Sequence, residues 1–164
     1  MTDYYRDKLE EGKQFQDWVQ KQLLPHGLIV MLNTSETYQK NVGESLSGIE
    51  IKKDNKFRET GNLFIEVAEK SDPCFPNFVP SGIYRNDNSW LYCIGDYKEV
   101  YILPKKILQV LYEDRINRKP GTEWRGIETR TIHTSKGMLL PIRYAEENNI
   151  VLRHIVFDAE VITT

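Results

Sequence analysis

Hydrophobic positions along the chain follow two periods, and the changes between them mark out the elements. Leu9, Phe15, Val19 and Leu23, with Trp18 alongside, have helical spacing. They predict an amphipathic helix from about Tyr5 to Leu24, stopped by Pro25 and Gly27. Leu28 to Leu32 reads as a short buried strand, and "NTSETYQKNVGESLS" as an exposed loop with room for a helical turn. From Gly48 the period drops to two. Ile49, Ile51, Leu63, Ile65 and Val67 are apolar, whereas Glu50, Lys52, Asp54, Glu66 and Lys70 are charged. That alternation predicts a hairpin over Gly48 to Lys70, with "NKFRETGN" at its tip.

Beyond the hairpin, Pro73, Pro76 and Pro80 keep "SDPCFPNFVPSG" out of any regular element. "SWLYCIGD" and "EVYILP" alternate as two strands joined by a turn at Gly95 and Asp96. "KKILQVLYEDRI" has helical spacing and ends at "NRKPGTE"; "WRGIETRTIHT" is a further strand. "LPIRYAEENN" reads as a helix with Pro141 in its first turn, and "IVLRHIVF" as a closing strand or extended segment. The fold class expected is α/β or α+β: a central mixed sheet flanked by helices. With 164 residues, a single domain (1–164) is expected.

Composition narrows the function classes only a little. A formal net charge of -2 gives no basic footprint, although binding to a polyanion depends on where cations sit. Cys74 and Cys93 show no CxxC or Cys/His spacing, so neither a disulfide framework nor a structural zinc site is expected. The longest apolar run, "LIVML", is far too short to span a membrane, and "MTDYYRDKLEEGK" lacks the apolar stretch of a signal peptide. A cytoplasmic protein with no membrane partner is the expectation.

The charged face of the hairpin holds the candidate chemistry. In one register Glu50 faces Glu66; in another, Asp54 does. Either brings carboxylates together, which destabilises a sheet unless solvent, lysines or a divalent cation compensate. Mg²⁺ or Mn²⁺ suits such oxygen donors, and a neighbouring lysine suits a developing phosphate charge. The same alternation also belongs to any antiparallel hairpin with one wet face.

"EIKKD…TGNLFIEVAEK", with "LEEGKQFQDWVQKQLL" before it and "WLYCIGDYKEVYILPKK" after it, resembles the PD-(D/E)xK nuclease superfamily. It is similar to phage-type nuclease-like proteins with a K-x-D…TGN…E pattern. The resemblance spans roughly Leu9 to Lys106. It implies a restriction-endonuclease-like core, Mg²⁺ (or Mn²⁺) as cofactor, DNA as partner, and allows a homodimer. It assigns metal binding to Asp54 and Glu66, with Glu50 as a further ligand or base. Lys52 would position the attacking water, with Lys70 as its substitute, because Ala68 stands where the pattern has lysine. A second register makes Glu50-Ile51-Lys52 the E-x-K triplet itself, with Glu44 as the nearest earlier acid. Glu10 or Glu11 matches the extra helical acid of junction-resolving members. The departure at Ala68 leaves a catalytically inactive binding or assembly module as the alternative.

Elsewhere, "HTSKGMLLP" places Thr134, Ser135 and Lys136 before a short helix, where hydroxyls, an ammonium and helix-start amides suit a phosphate. An ordinary helix cap is the plainer reading. Arg115, Arg118, Lys119 and Arg125 form the densest basic stretch, suited to a nucleic-acid backbone or simply to solvent. Trp90 and Trp124 suit base stacking, or burial. His26, His133 and His154 are scattered, with no metal-ligand spacing.

Overall fold

The computed structural model describes residues 3–33, 35–117 and 126–157. Five helices and eight strands occur among them: α1 (Asp3–Leu23), α2 (Glu36–Asn41), β1 (Ile49–Lys53), α3 (Phe57–Thr60), β2 (Asn62–Glu69), β3 (Val79–Pro80), β4 (Leu91–Gly95), β5 (Glu99–Pro104), α4 (Lys105–Ile116), β6 (Glu128–Ile132), β7 (Ser135–Pro141), α5 (Ile142–Glu147) and β8 (Arg153–Val156). The mixed α/β class is as expected, but one central sheet is replaced by two of four strands, ordered β1-β4-β5-β8 and β3-β2-β7-β6.

By its internal contacts the chain divides into two compact units. The first comprises Met1–Asn55, Asp87–Ile102 and Arg153–Thr164; the second comprises Lys56–Asn86 and Leu103–Leu152.

In the first unit, α1 lays Phe15, Val19 and Leu23, all fully buried, against one face of the sheet. Ile49 and Ile51 of β1, Leu91 and Cys93 of β4, Val100 and Ile102 of β5 and Ile155 of β8 complete that core. β1 runs parallel to β4, with Ile49 opposite Leu91 and Glu50 opposite Tyr92. The short link from Gly95 to Glu99 returns the chain as a hairpin, and β8 closes the sheet antiparallel to β5. Helix α1 ends where Pro25 and Gly27 were expected to stop it, through one 3₁₀ turn at Leu24–His26 and a left-handed Gly27. Leu28 to Leu32 forms no regular strand. Only Leu32 makes a bridge, to Ser45, because Val30 alone of its middle residues turns into the core while Ile29 and Met31 stay exposed.

In the second unit every pairing is antiparallel. Leu63 opposes Leu140 and Ile65 opposes Met138 across β2 and β7, and all four are buried. The expected hairpin of β1 with β2 does not form. Between them Phe57–Thr60 closes a helical turn, buries Phe57 and exits through left-handed Gly61, whose N–H donates to the Phe57 carbonyl at 2.7 Å. Each strand then pairs elsewhere, β1 with β4 and β2 with β7. The "HTSKGMLLP" stretch is likewise corrected: His133 and Thr134 make a two-residue turn, and Ser135 and Lys136 begin β7 instead of capping a helix. Helix α5 starts after Pro141, which stands at its cap.

Candidate functional site

Strand alternation sorts β1 into two faces. Ile49 and Ile51 enter the α1 core, so Glu50 and Lys52 point the other way, beside Tyr92 and Ile94 of β4. That face was expected to be wet, yet Glu50 and Tyr92 are 0% exposed and Ile94 is buried. A carboxylate withdrawn so far from water needs a counter-charge. Lys52 supplies it: its Nζ lies 3.1 Å from Glu50 Oε1 and 3.5 Å from Glu44 Oε1. The lysine is the outward member of the group, with a side chain 30% exposed.

Glu44 arrives from the loop before β1, in a segment bridged through Ser45. Its second oxygen, Oε2, accepts from Gln16 Nε2 at 3.0 Å and from the Ile51 backbone N–H at 3.2 Å. These two donors orient the carboxylate so that Oε1 is the oxygen turned to Lys52. Two acids therefore converge on one ammonium, with helix α1 fixing one of them. Glu11, also on α1, pairs with Lys53, which lies 4.8 Å over the Tyr97 ring.

Of the other two acids expected at the site, Asp54 belongs to the same unit and Glu66 to the second. Asp54 follows β1 directly, half-buried, with its N–H donating to the Gly95 carbonyl at 2.8 Å. Glu66 belongs to the second unit, on β2 opposite Gly137 and next to a bulge. Its two oxygens each accept a hydroxyl, Oε1 from Ser81 at 2.7 Å and Oε2 from Ser135 at 2.9 Å. Ser135 is thus the support of a carboxylate, whereas the sequence suggested a phosphate ligand. Lys70, the expected substitute for the lysine missing at Ala68, donates from Nζ to the carbonyls of Pro73 at 2.7 Å and Phe75 at 3.0 Å. It holds the Pro-rich loop. Lys136 lies 4.4 Å over the Phe78 ring. Arg118, Lys119, Trp124 and Arg125 fall outside the described residues. Arg115 donates from Nε to the Ile127 carbonyl at 2.8 Å, and His154 pairs with Glu99 at 2.6 Å while stacking on Tyr101.

Gln16 and Tyr92 were not picked out from sequence. Gln16 had a faint signal, an amide directly beside Phe15 on the buried flank of an amphipathic helix. Tyr92 had none, because its pairing with Glu50 depends on a parallel partner strand some forty residues away in the chain.

Scans of protein-family models, of curated proteins and of solved structures return no match to this chain. No helix among the described residues is long and apolar enough to cross a membrane.

Proposed function

We propose that the chain is a divalent-metal-dependent phosphodiester hydrolase whose site is Glu44, Glu50 and Lys52 of the first unit. One observation carries this reading: two carboxylates and a lysine on adjacent backbone segments converge within 3.5 Å, with Glu50-Ile51-Lys52 supplying an acid and a lysine two residues apart on one strand face. The donor set fits the cation. Mg²⁺ and Mn²⁺ take hard oxygen ligands and need as few as one or two carboxylates when water and substrate phosphate complete the shell. Glu44 and Glu50 would hold it through their Oε1 atoms, which already face a common positive charge. Bound there, the cation would polarise the phosphoryl group and acidify a water.

The remaining work falls to the protein's own groups. Gln16 and the Ile51 N–H keep Glu44 turned inward. Lys52, the exposed member, holds the attacking water and stabilises charge developing on the phosphate oxygens. DNA as substrate, a cytoplasmic location and a homodimer remain part of this proposal, following the superfamily resemblance.

A second reading has its own support. Lys52 already lies at hydrogen-bonding distance from Glu50, and no group of three or more His, Cys, Asp or Glu suited to a metal occurs among the described residues. The trio is then an ion-pair strut in an inactive binding module.

Calorimetric titration of Mn²⁺ separates the two. The hydrolase reading expects one site in the wild type, lost in Glu50→Gln and Glu44→Gln and retained in Glu66→Gln. Asp54→Asn tests which residue is the first acid: retained binding assigns it to Glu44, and lost binding returns it to Asp54. Wild-type protein that binds neither Mn²⁺ nor Mg²⁺, with or without an oligonucleotide, would remove the hydrolase and leave the strut.

A further inference from the structure

We infer that helix α4 pairs two copies of the chain, antiparallel to each other about a two-fold axis near Val110. The surface belongs wholly to the second unit and is argued without the hydrolase site. Helix α4 turns Leu108 into the core, with Lys105 also buried. Its opposite side is apolar where it meets solvent. Ile107 is 44% and Val110 51% exposed, and Leu111, half-buried, lies one turn from Ile107. Single exposed apolar residues are ordinary, but Ile107, Val110 and Leu111 adjoin on one face at helical spacing. Two of them are β-branched, which lowers helix propensity, and burial in the single chain does not offset that.

Charge says what covers this face. Exposed Lys106 stands four residues before Val110, and exposed Asp114 four residues after it, so the three form one ridge of the helix. Glu113 is exposed beside Asp114 and accepts from the Tyr84 hydroxyl at 3.1 Å. This order opposes the helix dipole, which favours anions at the start and cations at the end. The first turn has no acid, and Arg115, the cation of the last turn, is occupied with the Ile127 carbonyl at 2.8 Å. A second copy laid antiparallel over Val110 corrects the mismatch. Each Lys106 then stands opposite the partner's Asp114, and the apolar centres cover each other.

The ridge is complementary to itself when reversed. A two-fold copy supplies that reversal automatically, because the same patch serves both sides of the contact. A polyanion such as nucleic acid would be repelled by Glu113 and Asp114, and a basic partner by Lys106. A helix of 12 residues is about 18 Å long. One such contact buries less than about 1,200 Å² in total, which makes a weak dimer in exchange with monomer.

Sedimentation velocity from micromolar to millimolar protein tests the pairing. Wild type is expected to pass from monomer to dimer, and Val110→Asp to stay monomeric throughout. Lys106→Glu sets acid against acid at both ends, and Asp114→Lys sets base against base. Each is expected to weaken the dimer by roughly tenfold or more. An equimolar mixture of these two variants should recover wild-type association, because each chain then offers the charge that the other lacks. A folding defect cannot produce such rescue. A monomeric wild type, a dimer that survives Val110→Asp, or a mixture that associates no better than either variant alone overturns the inference. Mn²⁺ binding by Val110→Asp is expected to match wild type, so the dimer and the metal site are read separately. A dimer that binds no Mn²⁺ removes the hydrolase and leaves the α4 contact standing.

Discussion

Glu50 and Glu66 began as equivalent acids on one expected hairpin face, and the fold gives them opposite surroundings. Glu50, in the first unit, is fully buried and held by the Lys52 ammonium, which it shares with Glu44. Glu66, in the second, is half-buried and held by two neutral hydroxyls, one on each oxygen. A shared cation is the arrangement that a metal can join or replace. Two hydroxyl donors instead satisfy a carboxylate where it stands and tie β2 to the 3₁₀ turn after Ser81 and to β7. The lesson is that the partner of a carboxylate, more than its presence on a strand, decides what chemistry it can support.

Removing the cation gives the largest effect. Lys52→Met deprives a buried carboxylate of its ammonium and is expected to cost about 3 kcal/mol, read as a lower urea midpoint. Mn²⁺ should then raise the melting temperature of Lys52→Met more than that of the wild type, because two acids are left facing a vacated positive site. A variant as stable as wild type, or one that Mn²⁺ leaves unmoved, would break the contrast drawn for Glu50.

The hydroxyl side is predicted to respond more gently. Ser81→Ala and Ser135→Ala each remove one donor from Glu66, and each is expected to cost about 1 kcal/mol by the same urea measurement. Metal affinity should be indifferent to both. If either substitution strengthened Mn²⁺ binding, the hydroxyls would be competing with a cation at Glu66, and the two glutamates would be more alike than their partners suggest.

Local periodicity made the elements legible and left their partners hidden. Helices α1 and α4, strands β4 and β5 and the Pro141 start of α5 all follow from spacing and from turn residues, because those signals are set by near neighbours. The alternation in β1 and β2 correctly sorted Ile49, Ile51, Leu63, Ile65 and Val67 as buried. It said nothing about which strand lies alongside, and a hairpin was the shortest-range guess. The parallel pairing of β1 with β4 is long-range, and it alone places Tyr92 beside Glu50. At the proposed site, Glu44, Glu50 and Lys52 were within reach as the alternative register. Choosing it over Asp54 and Glu66 required the pairing that sequence withheld.

At neutral pH the smallest effect belongs to titrating groups native to each unit, which act only in alkali. Burial pushes the Cys93 thiol up to about 12 from an ordinary value of 9.0. Tyr84, in the second unit, is raised above its ordinary 10.0, first by burial and then by the hydrogen bond and charge of Glu113. In both cases the folded protein keeps a proton that the unfolded chain releases. Stability is therefore intact below the unfolded values and declines as pH rises through the window toward the folded ones. Cys93 acts from about pH 9, at up to about 1.4 kcal/mol per pH unit, and Tyr84 joins from about pH 10. Urea midpoints measured across alkaline pH should show Cys93→Ala flattening the earlier part of the decline and Tyr84→Phe the later part. A thiol reagent should meanwhile label exposed Cys74 at once and Cys93 only on unfolding. Prompt labelling of Cys93, or an unchanged slope in Cys93→Ala, would mean that the α1 core of the first unit admits solvent.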